Sequence, residues 1–143
     1  MIQRKQSLWL LLAALFNAGV LYFDLYRVTS NGNHEVIYRL RVPNDAFSML
    51  LMLFIVMLPL VSIFMFKDRK RQSLMAYAGM GMVVAFIANM LRNVSNLTGF
   101  PAMSEGNFWI GSVLPVFGLF FIILAVMGIR HDERLVKSMD RLR

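Results

Sequence analysis

The sequence predicts an all-α membrane protein, with four transmembrane helices in an up-down bundle and both termini in the cytoplasm. Three observations predict it. Four apolar stretches, 8–26, 46–66, 74–91 and 108–129, run for 19, 21, 18 and 22 residues, and ~20 apolar residues are what a hydrocarbon core of ~30 Å requires. Between positions 8 and 129 the charged residues fall in the connecting segments, Asp24 excepted; a soluble bundle would carry a charged face along each helix. The basic residues are also divided unequally. Eleven lie at the termini and in the second connection, against four (Arg27, Arg39, Arg41 and Arg92) in the first and third. The positive-inside rule places the richer side in the cytoplasm.

Composition agrees with one integral membrane domain over 1–143. Hydrophobic residues make up 58% of the chain and mean hydropathy is +0.60. The net charge of +7 is mostly topological, and no aromatics interleave with the basic clusters as nucleic-acid binding would need. With no cysteine in the chain, disulfides, iron–sulfur clusters and thiol catalysis are excluded.

The first stretch follows Arg4 and Lys5, as a signal peptide would. It is long and lacks a small-x-small cleavage site, with Phe16 two residues before Ala18, so it reads as a retained helix. Asn17 is the strongly polar side chain near mid-span, and it is expected to hydrogen-bond across to another helix. Asp24, at the far end, is a natural partner for Arg27 or Arg92.

The first loop, 27–45, carries Asn31-Gly32, a hairpin-turn signal, and then alternates from Val36 to Val42. Val36, Tyr38, Leu40 and Val42 share one face, and Pro43 ends the pattern. This is compatible with a small β-hairpin, which would need support from the third loop or from headgroups because a lone hairpin is marginal.

The second and fourth stretches contain Pro59 and Pro115, expected to kink their helices. Lys67 to Arg71 form a short basic connection whose ordinary role is orientation, with anionic lipid as the alternative. In the third stretch Ala78, Gly81, Ala85 and Ala88 form a small-residue face suited to close helix contact. Asn89, Arg92, Asn93 and Asn96 follow at steps of three and four, a polar line on one helical face. Such a line most simply hydrogen-bonds to neighbouring loops; the other reading is a small-molecule or anion site. Two glycosylation-type triplets begin at Asn93 and Asn96, a pattern that recurs by chance. Trp9 and Tyr77 stand near the cytoplasmic interface, and Tyr22, Tyr26 and Trp109 near the opposite one.

After the fourth stretch the tail places Leu135, Val136, Met139 and Leu142 on one face of a helix, with Glu133 and Lys137 as an i, i+4 pair. Its charges nearly balance, unlike a helix built for anionic lipid alone. Leu135, Met139 and Leu142 are therefore candidate contacts for a membrane or cytoplasmic protein partner, alongside the bilayer.

The chain presents no catalytic constellation. His34 and His131 fall on opposite sides of the predicted bundle, which disfavours paired haem ligation. Met49 with Met52, and Met80 with Met82, read as adaptable packing rather than metal ligands. No cofactor, metal site or enzyme activity is expected.

The two ends resemble a family of small four-span membrane proteins from Bacteroidota, catalogued as a domain of unknown function. The likeness rests on Ile2-Gln3-Arg4, Gln6 and Leu11-Leu12-Ala13 at the start. At the end it rests on Asp132-Glu133, Leu135-Val136, Ser138 and Asp140-Arg141-Leu142-Arg143. Lys5 stands where the pattern favours isoleucine. The resemblance implies location and topology, and no catalytic residues. Two functions are then expected in order: a non-enzymatic accessory or scaffold protein of the bacterial inner membrane, and a small homo-oligomeric transporter or channel.

Overall fold

The computed structural model describes residues 3–29, 35–66, 68–98 and 105–140. In chain order these form α1 (Gln3–Gly19), β1 (Tyr26–Thr29), β2 (Val36–Leu40), a 3₁₀ turn (Val42–Asn44), α2 (Ala46–Phe64), α3 (Arg69–Thr98), β3 (Glu105–Phe108) and α4 (Ile110–Asp140). Among the described residues α2, α3 and α4 are long and apolar enough to cross a membrane, with mean hydropathies of 2.6, 1.8 and 2.6.

The first predicted span needs correction. α1 has 17 residues and ends at Gly19 rather than near Tyr26, which gives a length of ~26 Å at 1.5 Å per residue. Its last turn tightens through bonds from the amides of Val20, Leu21 and Tyr22 to the carbonyls three residues earlier, at 3.1, 3.1 and 3.0 Å. The apolar residues beyond Gly19 belong to this turn and to the start of a strand, a distinction hydropathy does not make.

The hairpin is present, and the third loop supports it. β1 pairs antiparallel with both β2 and β3, so the strand order is β2-β1-β3. The Asn31-Gly32 turn lies outside the described residues. The alternating face extends less far than predicted: β2 stops at Leu40 and Val42 enters the 3₁₀ turn, with Pro43 inside it. Proline offers no N–H for a ladder and fixes its own φ. Leu40 and Val42 are buried, whereas Val36 and Tyr38 are exposed.

The bundle core runs through Leu10, Ala13, Met52, Ile55, Ala76, Val83, Phe86, Ile122 and Ala125, and Trp9 stacks on Phe121 with ring centroids 5.7 Å apart. α3 buries Gln72, Ala76, Gly79, Val83, Phe86, Asn89 or Met90, and Val94, steps of three and four that define one stripe. The small residues Ala78, Gly81, Ala85 and Ala88 lie on the opposite, exposed side, and a methyl group at Gly81 would meet nothing within 4 Å. The predicted close-contact face is therefore not the one used within the bundle.

Close contact occurs between α1 and α4 instead. A Cβ at Gly118 would collide with the Asn17 carboxamide, one at Gly111 with the Asp24 carbonyl, and one at Gly128 would lie 3.0 Å from Gln6. Small residues here let the helices approach while polar side chains fill the space. Both prolines lie inside helices that continue past them. α4 runs unbroken for 31 residues to Asp140, ~47 Å, so the predicted tail helix is an extension of the fourth helix rather than a separate element.

Candidate functional site

Polar chemistry concentrates at the two ends of the bundle. At the sheet end, Asp24 sits in the link between α1 and β1 with its side chain 1% exposed. Arg27 Nε donates to Oδ2 at 2.6 Å, and Arg41 Nε donates to Oδ1. The Arg27 guanidinium also lies over the Trp109 ring, 3.9 Å from its centroid. Backbone bonds complete the joint: Leu25 N–H to Leu40 O (2.8 Å), Trp109 N–H to Leu25 O (3.0 Å) and Gly111 N–H to Asp24 O (3.1 Å). Two guanidiniums compensate one buried carboxylate, as a buried charge requires. Arg92, the other expected partner, donates instead to Asn89 Oδ1 at 3.0 Å.

The polar line of α3 converges on Asp45, which the sequence reading did not single out. Asp45 caps α2, accepting from the Phe47 and Ser48 amides, both at 3.2 Å. Its Oδ2 also accepts from Ser48 Oγ (2.6 Å), Asn89 Nδ2 (3.1 Å) and Asn93 Nδ2 (3.2 Å). The Ser48 bond does most to hold the carboxyl at about 2, against the opposing effect of burial; Asn89, Asn93 and the Phe47 amide add to it. A signal for this cap was present: an acidic residue directly before an apolar helical run. Beside Asp45, an open cavity of about 300 Å³ is lined by Tyr38, Leu40, Asn44, Asp45, Asn93, Asn96 and Leu97.

At the tail end, Gln6 Nε2 donates to Asp132 Oδ2 at 2.5 Å, joining residues 126 positions apart. Arg69 donates to the Asp132 carbonyl at 2.7 Å. The other Asp132 carboxylate oxygen and the Tyr77 hydroxyl are buried without a partner among the described residues, and the Arg130 guanidinium lies 5.0 Å from the Tyr77 ring centroid. No local pattern could have announced the Gln6–Asp132 bond. It does connect the two end segments that carry the family resemblance.

Asn17 lies between these ends. It is fully buried, but its Nδ2 donates to the Ala13 carbonyl of its own helix at 2.8 Å rather than across to another. Its Oδ1 has no partner among the described residues. A side chain bonding back to its own i−4 carbonyl competes with the helix ladder. In the tail, Leu135 is exposed, whereas the Met139 and Lys137 side chains and Leu142 lie outside what is described. Among the described residues no three His, Cys, Asp or Glu side chains are grouped to hold a metal ion.

The arrangement supplies structural joints at both ends and an open polar cavity at one. No curated protein and no solved structure matches the chain. A family model does: described as a domain of unknown function (DUF4293), it matches residues 2–142, so the chain belongs to this uncharacterised family.

Proposed function

We propose that this protein spans the bacterial cytoplasmic membrane four times, with both termini in the cytoplasm, and serves as a non-enzymatic accessory or scaffold protein. The observation that carries the reading is the placement of its charge. Among the described residues the buried carboxyl side chains, Asp24 and Asp132, sit at the two ends and make joints within the fold, while intramembrane function normally uses ionisable groups at depth. What the two ends offer outward is surface. A small sheet covers one, and at the other α4 continues past Asp132 with Leu135 exposed. α1 is included among the spans because it packs along α2 and α4, and its turn at 20–22 lengthens the apolar segment.

The test is an affinity pull-down from native membranes, comparing the full chain with one ending at Arg134. That endpoint keeps Asp132 and its bonds to Gln6 and Arg69, so loss of a partner would report on the tail rather than on the bundle. A specific protein lost with the tail supports the proposal; associations and phenotype unchanged by the truncation would remove the tail's role.

A homo-oligomeric transporter or channel is the second reading. It draws on the Asn17 Oδ1 in the bundle interior, which has no partner among the described residues, and on the exposed small-residue side of α3, which a second copy could approach closely. Flux in liposomes altered by Asn17→Ala would favour it; absence of flux would leave the scaffold.

A further inference from the structure

We propose that the cavity beside Asp45 is a binding site for a small neutral saccharide. This goes beyond the scaffold reading and does not depend on it. The cavity measures about 300 Å³, the lower end of the range for small-ligand sites and suited to one sugar or the end of a glycan. Its walls come from three places: Tyr38 on β2, Asn44 and Asp45 ahead of α2, and Asn93 and Asn96 at the end of α3.

The chemistry of the lining chooses between ligand classes. Among the described residues no Lys or Arg lines the cavity, so a phosphate or carboxylate ligand would bring a second negative charge towards Asp45 without a cation among them to receive it. A metal ion or ammonium group fits poorly for the opposite reason. The Asp45 carboxylate already accepts five hydrogen bonds, four of them on Oδ2, and their donor hydrogens surround it.

What is left suits hydroxyl groups, which donate and accept at once. Carboxamides do the same, and three face the cavity. Asn93 uses Nδ2 towards Asp45, and Asn44 uses Nδ2 towards the Arg39 carbonyl at 3.1 Å, which leaves their carbonyl oxygens as acceptors. Asn96 is exposed and has no partner among the described residues. Asp45 Oδ1, which among the described residues accepts only the Phe47 amide, has capacity for one sugar hydroxyl. Tyr38 and two leucines supply apolar contact for the C–H faces of a ring.

The experiment is saturation-transfer NMR on the full chain in nanodiscs, with glucose, galactose, mannose and N-acetylglucosamine as separate probes. Magnetisation transfer to at least one sugar is expected, with affinity falling about tenfold or more in Asn96→Leu, the scale of one good ligand hydrogen bond. Asn96 is exposed and bonds no described residue, so that variant should melt like the parent; Tyr38→Ala provides a second variant on another wall. Absence of transfer to all four sugars overturns the proposal. So does transfer that both variants leave unchanged, or thermal stabilisation by calcium or methylammonium but by no sugar.

Discussion

The two ends of the bundle solve the same problem differently. At the sheet end Asp24 is held by two arginines, and Asp45 by donors from two helices. At the tail end the Asp132 side chain has one partner, Gln6, and one oxygen with none among the described residues. At the sheet end each carboxylate has several donors. At the tail end the Asp132 side chain itself rests on a single neutral donor, with Arg69 holding only the backbone carbonyl, which makes it the more adjustable joint.

Isosteric substitution should expose this difference most strongly. Asp24→Asn removes the charge that both guanidiniums face and is expected to cost about 3 kcal/mol, the scale of losing hydrogen bonds to a charged group at a buried site. Asp132→Asn keeps an oxygen for Gln6 and adds no unmatched charge, so it should change stability by under ~1 kcal/mol. Reversible unfolding in mixed micelles would measure both. Equal losses would mean that the ends are not distinct in the way the geometry indicates.

A smaller effect belongs to the tail end alone. Gln6→Ala leaves the Asp132 carboxylate without its donor and should cost about 2 kcal/mol, the penalty of a buried acceptor left unpaired. Hydrogen exchange should rise in the first turn of α1 and near Asp132 while the sheet stays protected. If exchange rose equally at the sheet, the two ends would be coupled through the bundle rather than independent.

The same contrast explains what the sequence revealed. Hydropathy located α2, α3 and α4 because the bilayer imposes length and composition directly on a segment. Strand alternation and a turn signal located the hairpin because those cues are local. What was illegible depended on partners distant in the chain. The end of α1 at Gly19 is followed by β1, which pairs with β3, placing Tyr26 opposite Phe108, 82 positions on. The face of α3 that packs is chosen by larger residues such as Val83 and Phe86, so the row of small residues was a misleading guide. Asn17 turned to its own helix because Gly118 brings α4 against it as a surface with no side chain to bond.

Acid should loosen the sheet end in a defined window. The Asp45 carboxyl is lowered from 3.8 to about 2 in the folded chain, so the folded state favours its ionised form. That contribution is fully present above the ordinary value near 3.8 and is lost as pH falls through about 2. Substituting Asn at Asp45 should flatten the stability–pH curve between these limits. A curve as steep as the parent's would show that other carboxylates carry the acid response.

The smallest expected effect lies on the exposed side of α4 just past the tail joint. Leu135 is exposed on the part of α4 beyond Asp132, so Leu135→Asp should leave stability within about 0.5 kcal/mol, as for other surface positions. If the tail face serves a partner, the same substitution should abolish co-purification while the melting curve stays put. That separation is the decisive feature. A residue whose change unfolds the bundle says only that the fold needs it, whereas one that loses a partner at constant stability locates the contact. A Leu135→Asp protein that kept every partner would move the search for an interface to the sheet end.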